Sequence, residues 1–293
     1  RWAGAKMKMT PTDLADTSGA TYTYLLNGQA PDGNWTALFQ PGERVRLRLI
    51  NGSAMTYFDF RVPGLKLIVV AVDGQNVEPV EGDELRLAVA ETIDVIVTPN
   101  ASQSAYTLFA QSMDRSGYAR GTLAVRDGLS ALVPELDPRP ELSMEDMGHG
   151  DHGSHAQAPA NSHGGVKHAQ MSHGEMNHEA GMADAGGQMQ AHPASENDNP
   201  LVDMQTMMPV PKLNDPGIGL RDNGRRVLTY ADLRSTFPDP DGREPTRTIE
   251  LHLTGHMERF AWSFDGIPFA DAEPVRLQYG ERVRFVLVND TMM

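Results

Sequence analysis

Gly42-Glu43-Arg44-Val45-Arg46-Leu47-Arg48-Leu49-Ile50-Asn51 is written a second time, with modest changes, as Gly280-Glu281-Arg282-Val283-Arg284-Phe285-Val286-Leu287-Val288-Asn289. In the first copy Val45, Leu47 and Leu49 are apolar and Arg44, Arg46 and Arg48 basic, the period-two pattern of a strand with one wet face. The same offset, without a gap, sets Tyr22 against Phe260, Tyr24 against Trp262, Asn27-Gly28 against Asp265-Gly266, and Met55 against Met293. A repeat of this kind means two copies of one β-domain, beginning near Thr21 and near Arg259.

Working outward from the first copy, short apolar runs follow one another with turn signals between them. Strands are expected at Thr21–Leu26, Val45–Leu49, Tyr57–Val62, Leu65–Val72, Leu85–Val89, Ile93–Val97, Tyr106–Ala110 and Gly121–Val125. Asn27-Gly28, Pro63-Gly64 and Asp73-Gly74 punctuate them. No long helical periodicity intervenes, so the class is all-β, a Greek-key sandwich. Residues 1–20 read as a connecting segment, 21–126 as a complete domain, 127–247 as a linker and 248–293 as the start of a second domain. That start stops partway through its opening sheet, which leaves an unpaired edge and an uncovered apolar face. The chain is therefore expected to continue past Met293, and the mid-protein character of residues 1–9 suggests more before Arg1.

The chain has 293 residues and a formal charge of −14, which argues against nucleic acid or an anionic membrane as partner and is compatible with cations. No run approaches the roughly 20 apolar residues of a membrane helix. There is no cysteine. That excludes every thiolate metal site, including a blue-copper centre built on two histidines and a cysteine. No Ser/His/Asp grouping, phosphate loop or dinucleotide fingerprint is visible. Asp94 reads as a structural carboxylate at a strand end.

Ligand chemistry is concentrated elsewhere. Residues 144–208 hold eight of the ten histidines and nine of the sixteen methionines. Three times a methionine stands two residues before a histidine: Met147 and His149, Met171 and His173, Met176 and His178. Thioether with imidazole suits copper, Cu(I) above all. With His152, His155, His163 and His168 these residues form the candidate copper-capture set. From Glu141 to Pro200 nine acidic residues face one lysine, Lys167, with no apolar periodicity, so segment 141–208 is expected to lack a fold of its own. A solvated linker without a metal role, and nickel or zinc held by the histidines alone, remain open beside copper capture. Met204, Met207 and Met208 could extend the set. Met7 and Met9 read as packing residues. His252 and His256 could be brought together with Met257 by a turn at Gly255, although packing roles are more usual for such histidines.

The repeat also carries a resemblance. A Tyr-rich strand, Asn-Gly, then Gly42–Asn51, with Ala90-Glu91-Thr92-Ile93-Asp94-Val95-Ile96-Val97 later, resembles the cupredoxin domains of multicopper oxidases. Met9–Leu14, Ser112–Leu123, Val227–Leu233 and His252–Met257 are similar to the periplasmic copper-resistance members of that family in Gram-negative bacteria. The resemblance implies copper as cofactor and three cupredoxin domains, with copper ligands in the first and third. This chain would supply the middle domain, the linker and the start of the third. It implies a whole protein that oxidises Cu(I) or phenols one electron at a time and reduces dioxygen to water. The first third-domain ligand motif would begin just past Met293, and Tyr57–Val62 contains no histidine. No catalytic ligand then falls on this chain, which alone would be inactive. Copper ions and the remaining cupredoxin domains are the implied partners. The alternative is a periplasmic copper-sequestering protein without catalysis.

Overall fold

The alternation in the first copy is realised in space: Val45, Leu47 and Leu49 turn inward and Arg46, Arg48 and Ile50 outward. The computed structural model describes residues 18–142, 146, 189–256 and 261–291. Nine strands build the first unit: β1 (Trp35–Leu38), β2 (Val45–Ile50), β3 (Phe58–Arg61), β4 (Leu67–Val72), β5 (Gln75–Gly82), β6 (Glu84–Leu87), β7 (Thr92–Val97), β8 (Ala105–Ser112) and β9 (Tyr118–Ala124). They form two sheets, ordered β1-β9-β8-β3-β6 and β2-β7-β4-β5. Only β1 and β9 pair in parallel there.

Inward residues of the two sheets make one core. Phe60, Leu85, Tyr106, Leu108 and Leu123 come from one sheet and Leu67, Val69, Ile93, Val95 and Val97 from the other. Each such burial stabilises by about 1.5–3 kcal/mol relative to exposure. On the wet face Arg46 donates from Nε to Asp94 Oδ2 at 3.0 Å, so Asp94 serves a cross-strand ion pair. Strands β1 and β5 escape the pattern rules. Both lie at sheet edges, and β5 carries Asn76 and Pro79, residues that edge strands tolerate because one side needs no ladder bonds. Thr21–Leu26, expected as a strand, contributes only the bridge Leu26 to Gln29.

The repeat is visible at its turns. Leu26 and Gln29 flank Asn27-Gly28, and Phe264 and Ile267 flank Asp265-Gly266. All four central residues have positive φ, from 47° to 78°, the two-residue hairpin geometry that Asn-Gly and Asp-Gly favour. The second copy adds β10 (Arg247–His256), β11 (Ala261–Phe264), β12 (Ile267–Pro268) and β13 (Val283–Asn289), in the order β12-β11-β10-β13. Strands β10 and β13 pair in parallel from Arg247–Val283 to Leu253–Asn289. One face of this sheet carries Trp262, Phe264, Phe285 and Leu287, all substantially exposed. The opposite face carries His252, Thr254, Ser263 and Val288, all buried.

What buries that second face is residues 189–208. They were expected to lack order, as the end of segment 141–208, and here the structure differs. A 3-10 turn at Ala194–Glu196 sits against the Asp265-Gly266 hairpin. Ser195 Oγ donates to the Asp265 carbonyl (2.7 Å) and Asn199 Nδ2 to that of Gly266 (2.9 Å). Composition missed this because polar contacts to a neighbouring sheet, not an apolar stripe, hold the segment. Parts of the linker 127–247 likewise pack on the first sandwich. Leu220 and Val227 are buried, and Val227 and Ser235 bridge to Glu84 and Val77. Tyr230 heads a 3-10 turn and donates from Oη to Glu91 Oε1 at 2.9 Å. Burial, then the Glu91 charge, raises the Tyr230 hydroxyl pKa well above the usual phenol value. Arg225 donates to Glu84 Oε2 (2.6 Å) and also binds Asp137, and Arg61 donates to Glu84 Oε1 (2.9 Å).

Candidate metal centre

Four donors from three separate places converge on the covered face of the second sheet: His192, Glu196, His252 and Asp290. Strand alternation on β10 turns His252 inward, and the parallel partner β13 ends at Asn289, one residue before Asp290. The Asp290 N–H donates to the Leu253 carbonyl at 2.9 Å, which holds the carboxylate beside the His252 ring. Glu196 closes the 3-10 turn that the hairpin anchors, and His192 stands four residues earlier. The anchor is itself fixed from the sheet: Asp265 Oδ1 accepts the His252 N–H (2.8 Å), and the Gly266 N–H donates to Thr254 Oγ1 (3.0 Å).

The donor atoms that could take a metal all lie within 4.8 Å of one another. His252 Nδ1 is 2.7 Å from Asp290 Oδ2 and 3.6 Å from Glu196 Oε1. His192 Nδ1 is 3.0 Å from Glu196 Oε2 and 3.3 Å from Asp290 Oδ2. The two rings meet edge to face, with centroids 5.0 Å apart. Both carboxylates are fully buried, and their side-chain partners are the imidazoles and Gln205, with no lysine or arginine among them. Burial pulls the His252 imidazole down, but bonds to Asp290 and Glu250 and the nearby carboxylate charges outweigh it, so its pKa lies above the ordinary histidine value.

The outer atoms are held as well. His192 Nε2 lies 2.8 Å from the Thr206 carbonyl and must donate to it. The Thr206 N–H donates to Asp290 Oδ1 (2.7 Å), and Gln205 Nε2 to Glu196 Oε2 (3.1 Å). His252 Nε2 faces Glu250 Oε1 at 3.3 Å.

Of the residues that the sequence singles out, Met147, His149, His152, His155, His163, His168, Met171, His173, Met176 and His178 lie outside the described residues, as do Met7, Met9 and Met257. Met207 is exposed. No turn brings His256 to His252, because Leu253-Thr254-Gly255 continue β10, so the packing role that is more usual for such histidines is open to His256, which faces Asp203 Oδ1 at 3.4 Å. The Met-x-His rule does not select His192, whose preceding partner position is Gln190. The one local signal for this cluster is the His192-x-x-x-Glu196 spacing.

Residues 4–127 match the multicopper oxidase family. The chain is 67% identical to copper resistance protein A of Pseudomonas syringae pv. tomato over 99% of its own length and 51% of that protein's. The family these matches point to is the multicopper oxidases. Copper resistance protein A of Escherichia coli is 64% identical over 99% of this chain and 51% of its own length. Multicopper oxidase MmcO of Mycobacterium tuberculosis is 24% identical over 92% of the chain and 37% of that protein. The chain thus spans about half the length of the two copper resistance proteins it matches. Copper is the cofactor of this family.

Proposed function

We propose that this chain is the central stretch of a periplasmic copper-resistance multicopper oxidase. The whole protein takes single electrons from Cu(I) or a phenol and reduces dioxygen to water. The identity with copper resistance protein A along nearly the entire chain carries this reading. The catalytic coppers belong to other parts of the protein. The residues here do not fit a type 1 centre, which needs a thiolate, because the chain has no cysteine. Nor do residues 1–148 contain any histidine that could serve a copper cluster within the first sandwich. No oxidation step therefore runs through this stretch. Its first sandwich is a structural domain, and the exposed apolar face with Trp262, Phe264, Phe285 and Leu287 suits the remainder of a cupredoxin domain of the same polypeptide. Among the described residues no helix is long and apolar enough to cross a membrane.

The Met-x-His segment, Met147 to His178, gathers copper for the enzyme as substrate. Its carboxylates attract the cation and its thioethers favour Cu(I). Two measurements test the reading. The 293-residue chain loaded with copper is expected to show no blue thiolate absorption and no phenol oxidation; either signal overturns the assignment of catalysis to other parts. In the whole protein, removing residues 147–178 is expected to lower bound copper and to slow turnover only at low free copper. Lost copper with turnover unchanged at every copper level would instead make the segment a sequestering device.

A further inference from the structure

We propose that His192, Glu196, His252 and Asp290 form a buried site for one divalent transition cation, Cu(II) or Zn(II), bound through two imidazole nitrogens and two carboxylate oxygens. The inference goes beyond the oxidase reading and does not depend on it, since it rests on the covered face of the second sheet alone.

Three observations converge. The first is an unpartnered atom. Glu196 is 3% exposed, and its Oε1 accepts no hydrogen bond while pointing at the His252 ring. A buried carboxylate oxygen left in this way costs free energy unless something positive meets it. The second is the arrangement of protons. The Thr206 carbonyl requires a hydrogen on His192 Nε2, and the Glu250 carboxylate favours one on His252 Nε2. In the neutral rings both Nδ1 lone pairs then point at carboxylate oxygens, where only an extra proton or a metal ion can stand between them. A metal-binding histidine commonly donates its other N–H to a carbonyl or carboxylate; His192 does so to Thr206, and the His252 Nε2 faces the Glu250 carboxylate with Gln190 Nε2 alongside. The third is spacing. Donors about 2.0–2.2 Å from a tetrahedral ion stand about 3.4 Å from one another. The separations of 3.3 and 3.6 Å already match, the 2.7 and 3.0 Å contacts need to open by under about 1 Å, and all donors lie within 4.8 Å of one another, so binding draws the set to one common spacing.

The donor set also decides the ion. Two nitrogens and two hard oxygens, without sulfur, suit Zn(II) or Cu(II) and not the thioether chemistry of Cu(I). This site and the Met-x-His segment are thus specialised for different ions or oxidation states.

The test uses the 293-residue chain in which the histidines and methionines of 147–178 are replaced, so that only the folded site remains. Zn(II) or Cu(II) is titrated in separate arms and bound metal counted after dialysis. One retained equivalent is expected, lost in His252→Ala and in Glu196→Gln and weakened about 10- to 100-fold in the supporting variant Gln205→Ala. Retention in the Zn(II) arm alone, the Cu(II) arm alone, or both, names the ion and supports the site. No retained equivalent in either arm, or one that survives both ligand variants, overturns it. Should a variant fail to fold, nitrogen NMR of the unsubstituted site decides. Zn(II) must shift Nδ1 of His192 and His252 while each Nε2 keeps its proton, and unmoved Nδ1 signals overturn the proposal.

Discussion

Two clusters of buried carboxylates in this molecule are answered in different ways. On the first sandwich, Glu84 and Asp137 are answered by Arg61 and Arg225, guanidinium groups that stay charged at any working pH. On the second sheet, Glu196 and Asp290 are answered by imidazoles and by the neutral donors Gln205 Nε2 and the Thr206 N–H, with no guanidinium among them. The first cluster is complete in itself and acts as a clasp, since Arg225 belongs to the linker and Glu84 to strand β6. The second is closed only by protons or by an added ion. Buried carboxylates mark a candidate binding site, then, when their partners are imidazoles that can give up a proton for an ion, and mark structure when their partners are permanent cations.

The largest expected effect breaks the first cluster. Glu84→Ala leaves two arginines facing a buried gap, and loss of one partner from such a pair costs about 3–5 kcal/mol. Urea unfolding of the first sandwich measures it, and a cost under about 1 kcal/mol would reduce the clasp to the level of a surface pair. Next in size is the ion itself. A cation at about 100 times its Kd stabilises the fold by about 2.7 kcal/mol, read as a thermal shift that a chelator reverses. Glu84→Ala is expected to leave that shift intact, because the clusters share no residue; its disappearance would show that the two regions are coupled. The smallest effect lies in acid. Burial pushes the Asp137 carboxyl up, but the Gln111 bond and the Arg61 and Arg225 charges outweigh it, and its pKa falls below the usual carboxylate value. A lowered folded-state value means that its stabilisation is present above about pH 4 and is lost as pH falls through the lowered value. Asp137→Asn is expected to flatten the acid limb of the stability curve, and an unchanged limb would remove Asp137 from the clasp.

The two clusters also differ in how far the sequence announces them. Strand alternation and the repeat at Gly42 and Gly280 expose the sandwich directly, because burial on one side of a strand leaves a period of two. The edge strand β5 does not read this way, since an edge can carry proline and acid without breaking a ladder, and β1 is only four residues long. The candidate metal centre is almost silent. Its members at positions 192, 196, 252 and 290 come together only through the parallel pairing of β10 with β13 and the docking of residues 189–208. The Met-x-His rule reads neighbours along the chain, so it finds linker residues and passes over His192.

The twin hairpin turns carry a last consequence. At Gly28 a methyl group would meet nothing within 4 Å, whereas at Gly266 it would lie 2.7 Å from Asn199 Nδ2 and 2.8 Å from the Ser195 carbonyl. Both glycines have the same left-handed backbone, yet one copy of the turn is a bare corner and the other a socket. The second copy of the turn serves as the mount for the segment that carries His192 and Glu196. A side chain placed at position 28 would strain only its own backbone; at 266 it would also unseat the segment that brings His192 and Glu196 to His252.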